Sequence, residues 1–369
     1  MVGVNLIAVR ENVSWLVSLI CVDSSRASGA CHRSMQIRNL LENAGWQLQP
    51  IQSPPPPASR LITLGVGLAA ALRHGPLQPF GVESLRSQGH ASHRVAQLHK
   101  CFPLLKGVIQ EGTGYGSLAT VAEWRSRGLT TVLVPANIES LAPNFNAWAH
   151  RGRQVQHRFA DERRWWAMAD FIFTISFEEA WWLRLHGIQA EVLPYFPAPS
   201  HQQFLETIRK ERNPDPNLGF LWLADFRNPA NLAGVSALVS YLYQAGAPPY
   251  PVQVVGRGSE HLNECIPPDF IDSFNFRGEV SHSDLAELQC RCIAQLIVHP
   301  PTSGRLTRVV DSALAGIPVV GNTMALKGDQ LLFQDNWLIN RSWPLHPRVI
   351  GQPLPPKAAE AAFLATLER

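Results

Sequence analysis

The stretch Ser303–Gly321, SGRLTRVVDSALAGIPVVG, decides how the rest of the chain is read. A glycine beside an arginine leads into a helical pattern carrying one carboxylate, Asp311; then Ala-Gly-Ile-Pro stops it and an apolar strand follows at once. Glycine just past the last helical residue, with proline beyond it, is a helix stop. Helix, tight turn and apolar strand together make half of a βαβ unit, so the stretch predicts a parallel α/β fold. It also raises a question of charge. Arg305 and Arg308 stand where the helix begins, although the dipole at that end prefers anions. Cations fit there when an anion is held between them and the free backbone N–H groups.

Working outward, short apolar runs alternate with helical patterns in both directions. Strands are predicted at WLVSLICV from Trp15, QLQPI from Gln47, GVIQ from Gly107, TTVLVP from Thr130, FIFTIS from Phe171 and AEVLPY from Ala190. Helices fit His32–Gly45, Glu83–His99, Ser117–Arg127, Arg158–Met168 and Glu178–His186 between them. PAPSHQQ breaks the alternation near residue 200. It restarts with FLWLA from Phe220, PVQVVG from Pro251, SFNFRG from Ser273, AQLIVHP from Ala294 and IPVVG from Ile317, with helices at Asn231–Gln244 and Ser283–Arg291. The expected architecture is two α/β domains, 1–199 and 200–369, with a ligand between them at the carboxyl ends of the strands.

Composition narrows the class. The 369 residues suffice for two cores, and a formal charge of +3 without any basic run argues against nucleic acid. The six cysteines show no framework spacing, and Cys290-Arg291-Cys292 lacks the histidines of a zinc site, so reduced thiols and a cytoplasmic setting are expected. LITLGVGLAAALRHG from Leu61 is the longest apolar stretch; it is too short to span a bilayer. Peripheral contact with a membrane stays open.

The common nucleotide motifs are absent: DSSRASGA after the first strand fails the dinucleotide fingerprint, and no P-loop or G-x-S-x-G occurs. VVGRGSE from Val254 holds only G-x-G. It nevertheless places Gly256 and Arg257 at the end of a strand, where a phosphate can approach the backbone. His299 ends another strand on the same side. The paired tryptophans of ERRWWAMAD and EEAWWLRL read as packing residues.

Taken in order, FLWLADFRNPANLAGVSALVSYL, VQVVGRG, FNFRGEVS and LIVHPPTSGRLTRVVDSALAGIPVVGNTMALKG resemble the carboxyl-terminal domain of retaining GT-B glycosyltransferases of family four. RSMQIRNLLENAGW, LVPANIESL and ADFIFTISFEEAWWLRLHGIQAEVLPYFP resemble the amino-terminal domain more faintly, so the likeness spans residues 15–330. The resemblance implies two facing Rossmann-like domains and transfer of a sugar from a nucleoside-diphosphate donor with retention. It implies no metal or other cofactor, and no D-x-D cluster argues for one. Gly304 and Arg305 match the loop before the donor-site helix. Arg308 stands where the family meets the diphosphate, and Asp311 where a glutamate holds the ribose. Arg227 represents an arginine–lysine pair, with Asn231 in the second position.

Two departures are informative. The family often has a glutamate where this chain has Ser303, and its histidine–asparagine pair appears as Ala136-Asn137. The nucleotide end of the site is therefore better kept than the sugar end. On the acceptor side the candidates are Glu111 and Tyr115 in QEGTGYG, and Asn137 and Glu139 in LVPANIESL. A catalytically degenerate nucleotide-sugar-binding or partner protein is the alternative. A sugar-nucleotide epimerase would need acid/base groups that the sequence does not locate.

Overall fold

The computed structural model describes residues 4–21, 29–57, 59–78, 80–114, 116–141, 155–334 and 342–369. Contacts divide the chain into two compact units: Met1–Tyr195 with Ser303–Arg305 and Pro356–Arg369, and Phe196–Thr302 with Leu306–Pro355. Both are α/β, as the alternation predicts.

The first unit runs β1 (Val4–Arg10), β2 (Val13–Leu19), α1 (Gly29–Asn43), β3 (Gln47–Ile51), α2 (Arg60–His74), α3 (Val82–Cys101), β4 (Leu105–Gln110), α4 (Ser117–Arg125), β5 (Thr130–Leu133), α5 (Val155–Trp166), β6 (Phe171–Thr174), α6 (Phe177–Leu185) and β7 (Glu191–Val192). Its sheet has the order β3-β1-β2-β4-β5-β6-β7. β2, β4, β5, β6 and β7 pair in parallel, whereas β1 is antiparallel to both β2 and β3. The sequence reading placed the first strand at Trp15 and missed β1. The tight link between β1 and β2 puts Glu11 at φ 55, a left-handed position that glycine or asparagine usually marks.

Two further differences belong to this unit. The apolar stretch from Leu61 is helix α2, although it contains Gly65 and Gly67. Gly67 is required because a Cβ there would lie 1.8 Å from the Leu85 carbonyl oxygen of α3; a Cβ on Gly89 of α3 would lie 2.0 Å from the Thr63 oxygen. The helices thus meet backbone to backbone. Cys21 and Cys31 form a disulfide, which corrects the expectation of reduced thiols. β2 ends beside the first turn of α1, bringing the two Cα atoms to 4.9 Å, a proximity that a separation of 10 residues does not advertise. The tryptophan reading holds for Trp165 and Trp166, both wholly buried, while Trp181 is exposed.

The second unit runs α7 (Pro199–Glu211), β8 (Phe220–Leu223), α8 (Pro229–Ala245), β9 (Val252–Val255), β10 (Phe274–Gly278), α9 (His282–Arg291), β11 (Ala294–Ile297), α10 (Thr307–Leu314), β12 (Val319–Gly321) and α11 (Thr323–Leu326), then the small ladder of β13 (Phe333–Gln334) and β14 (Arg348–Val349). α12 (Lys357–Thr366) belongs to the first unit, where its Phe363 packs edge-on against Phe173, ring centroids 5.4 Å apart. The sheet of the second unit is wholly parallel, in the order β10-β9-β8-β11-β12. β9 and β11 are buried along their whole length, which is why they read as unbroken runs rather than alternating ones.

Numbered within the unit, that order is 3-2-1-4-5, the doubly wound arrangement. Helices leave β8 toward one edge and β11 toward the other. The crevice between the carboxyl ends of β8 and β11 is thus the topological switch point, where such sheets take their ligands. Gly234 lets α8 press onto this place: a Cβ there would lie 2.3 Å from the Val298 carbonyl oxygen.

Candidate functional site

At the switch point of the second unit, Arg308, Asn231 and His299 stand with two neighbours, Asn322 and Lys327. Arg308, on the first turn of α10, donates from Nη1 to the Leu223 carbonyl at the end of β8 (2.9 Å) and from Nη2 to Asn231 Oδ1 on α8 (3.2 Å). Its Nε is buried and has no partner among the described residues. Burial lowers the guanidinium to about 10, and among the described residues no carboxylate pulls the other way. α10 has Leu306 at its N-cap, so no side chain caps its first N–H groups.

His299 follows β11 directly and is 5% exposed. Its Nδ1 lies 3.1 Å from the Pro300 carbonyl. Burial, then the Arg308 charge, pushes its pKa down to about 4, with Lys327 adding to the effect and the Pro300 carbonyl opposing it. The imidazole is neutral at pH 7. Lys327 itself donates to the Thr302 carbonyl. Asn322 holds the loop from behind: its Oδ1 accepts from the N–H groups of His299 (3.2 Å) and Ala325 (3.0 Å), and its Nδ2 donates to the His299 carbonyl (2.7 Å). Asn322 and Lys327 were missed by the sequence reading. Their signal was present in GNTMALKG, where an asparagine between a strand and a helical run marks an N-cap.

The other donor-side candidates lie elsewhere. Asp311 points to α7, its Oδ2 3.2 Å from His201 Nε2. Arg227 is exposed and forked onto Asp225, with Nε and Nη2 each 3.1 Å from a carboxylate oxygen. That hydrogen bonding lowers the Asp225 carboxyl. Arg257 is likewise exposed and pairs with Glu279 at 2.9 Å. Gly256, after β9, has φ 121, and a Cβ there would lie 2.0 Å from the Ala224 oxygen, so only glycine fits.

Ser303, Gly304 and Arg305 group with the first unit. The Ser303 hydroxyl accepts from the Ile138 N–H and donates to the Ile138 carbonyl, both at 3.0 Å. Gly304 has φ 79 and stands where a Cβ would come 2.8 Å from the Ala136 oxygen. Arg305 is half-buried.

A single buried carboxyl and one carboxyl cluster lie toward the carboxyl ends of β4 and β5. Glu111 is fully buried after β4; its Oε2 accepts from the Ile20 N–H (2.8 Å) and the Ser34 hydroxyl (2.5 Å). Burial raises it to about 7, against the pull of Ile20, Ser34 and Arg33. Glu139 lies in the turn after β5 and rises to about 8, first through burial, then through Glu162 and Glu179. Glu162 anchors that turn by accepting from the N–H groups of Glu139 (3.1 Å) and Ser140 (2.9 Å). Asn137 is half-buried, and its carbonyl accepts from Thr113 at 3.5 Å. Tyr115 lies outside the described residues.

No protein-family model and no curated protein matches the chain. Similar solved structures include UDP-GlcNAc 2-epimerase from Methanocaldococcus jannaschii, at 10% identity over 79% of this chain and 84% of that one, with a TM-score of 0.44. MurG from Acinetobacter baumannii is 12% identical over 78% of this chain and 64% of its own, with a TM-score of 0.35. A UDP-glucosyltransferase from Polygonum tinctorium is 12% identical over 77% and 75%, with a TM-score of 0.37. At these scores the likenesses bear on neither activity nor substrate.

Proposed function

We propose that the chain is a glycosyltransferase using a nucleoside-diphosphate sugar, with the diphosphate held in the switch-point crevice of the second unit. One observation carries this reading: among the described residues, the buried Arg308 guanidinium has no carboxylate to balance it and no partner for its Nε. A buried charge without a counter-charge is costly unless something else supplies one. Arg227 and Arg257 have carboxylates of their own; among the described residues Arg308 has none. An anionic ligand at the uncapped start of α10 would complete the arrangement, and a diphosphate matches both the fork and the free N–H groups.

Such a site does chemistry through charge that develops on the leaving group. As the bond from sugar to diphosphate breaks, negative charge accumulates on the departing oxygens, and a fixed cation stabilises it there without reorganising. Arg308 has that role in this proposal, supported by Lys327, and Asp311 would take the ribose; Gly304 and Arg305 keep their donor-side place from the sequence alone. Neutral His299 can hydrogen-bond to the donor without adding charge. Arg227, Gly256 and Arg257 would bound the nucleotide on the β9 side. On the acceptor side, Glu111 near 7 suits proton transfer at neutral pH, whereas Glu139 near 8 stays protonated and would act as a hydrogen-bond donor beside Asn137. Tyr115 keeps its proposed place in this set from the sequence alone. Retention of configuration and independence from metal are what the family resemblance implies; the cytoplasmic setting rested on reduced thiols, and the Cys21–Cys31 disulfide removes that support.

A second reading is supported by Ser303. Where the family often has a glutamate, this hydroxyl is committed to both backbone groups of Ile138, as a structural fastener would be. A chain that binds nucleotide sugars without turning them over would tolerate that. Incubation with a panel of nucleotide sugars, scored for nucleoside-diphosphate release, tests the proposal. Slow release without acceptor is expected of a transferase, and binding with the donor left intact would favour the second reading.

A further inference from the structure

Helix α2 is built the wrong way round for a helix at a protein surface in water. Its inward face carries Thr63, Gly67, Ala70 and Ala71, all buried. Its outward face carries Leu61 (80% exposed), Ile62 (59%), Leu68 (47%) and Leu72 (81%). The cause is the contact with α3 described above. Backbones that meet at Gly67 and Gly89 leave room inside only for small side chains, so the leucines are turned out. Phe80 and Val82, just beyond the helix, are also exposed. A run of large apolar side chains of this kind marks an interaction surface.

Charge selects the partner. No aspartate or glutamate occurs between Glu42 and Glu83, so α2 and its flanks carry no negative charge at all. The charged side chains on α2 are cationic and stand at its ends: Arg60 is exposed, and Arg73 is half-exposed while reaching Glu123 at 3.4 Å. The first carboxylate after the helix, Glu83, is engaged by Arg86 at 3.4 Å. Two copies of α2 laid face to face would set Arg60 against Arg73 if antiparallel, or Arg60 against Arg60 if parallel. Neither pairing offers a carboxylate, so a second copy of the chain is disfavoured. An anionic bilayer offers what the face lacks: an apolar interior for the leucines, with negative headgroups at the level of the arginines.

We propose that the outward face of α2 docks the protein onto the surface of an anionic membrane, lying in the interface without crossing it. The inference is independent of the donor site. It is tested by vesicle flotation of the full chain, using phosphatidylcholine vesicles with and without phosphatidylglycerol. The wild-type chain should float with the anionic vesicles, and added salt should weaken the association. Leu61→Gln and Leu72→Gln alter side chains that make little internal contact, so the fold is kept. Each should weaken partitioning by roughly tenfold or more, as loss of a buried leucine demands. Arg60→Gln should reduce binding to anionic vesicles. Failure of the wild type to float, equal flotation of the leucine variants, or equal binding to neutral vesicles would overturn the proposal. So would a sedimenting dimer that the leucine variants dissociate, because the face would then be a contact between copies.

Discussion

His299 and Asn322 form the support of the crevice, and each has a measurable consequence. His299 is buried beside cations and its folded pKa lies near 4, below the ordinary histidine value. The unfolded chain therefore takes up this proton first as pH falls. Stability from this group is complete above about pH 6.5 and is lost between there and pH 4, up to about 3 kcal/mol. Urea unfolding of wild type and His299→Gln across that window should show a smaller acid loss in the variant; parallel profiles would remove His299 as the cause. Asn322 makes three hydrogen bonds that fix the loop after β11 and cap α11. Asn322→Ala should cost about 2–3 kcal/mol of unfolding free energy, since it removes a cap and leaves backbone groups of His299 without partners. A change below about 0.5 kcal/mol would show that solvent or neighbours replace those bonds.

At the scale of elements, α2 supplies a matched pair of glycine substitutions. Gly67→Ala drives a methyl group into the Leu85 carbonyl, so α2 must lift from α3; a loss of about 3 kcal/mol or more is expected. Gly65 meets nothing within 4 Å, and Gly65→Ala should stabilise the protein by up to about 1 kcal/mol. Thermal melts of the two variants check the pair, and a shift of the same sign in both would contradict the packing described. The same glycines explain why the sequence concealed α2. A helix packed through small residues shows no apolar stripe directed inward, and its leucines look like core. In the second unit β8, β9, β11 and β12 were legible because they are short, largely apolar and mostly buried runs; α11, β13 and β14 were not. β1 was not, because its link to β2 puts Glu11, where glycine is usual, in the left-handed position. Within the site, Arg308 and His299 could be read from their positions at a helix start and a strand end. That Asp311 turns to His201 could not, since α7 is distant in sequence and only packing brings it near.

Over the whole molecule, acid and base sides of the pH scale pull in opposite directions. Glu111 and Glu139 keep their protons to about 7 and 8, whereas in the unfolded chain both ionise near the ordinary glutamate value. Their contribution is full below about pH 4.5 and is lost as pH rises toward 8, opposite to that of His299. Glu139→Gln should therefore flatten the fall in stability between pH 5 and 8, and an unchanged slope would show the cluster to be ionised already. The central claim is that the switch-point crevice of the second unit holds a diphosphate through Arg308. It is tested most directly by calorimetric titration of nucleoside diphosphates into wild type, Arg308→Lys and Arg308→Ala, with folding of each checked by thermal melt. The account predicts saturable binding to wild type, weaker binding to the lysine variant, and a loss of roughly 2–3 kcal/mol or more in the alanine variant. Equal affinity in all three folded proteins, or no binding of any nucleoside diphosphate to wild type, would contradict it.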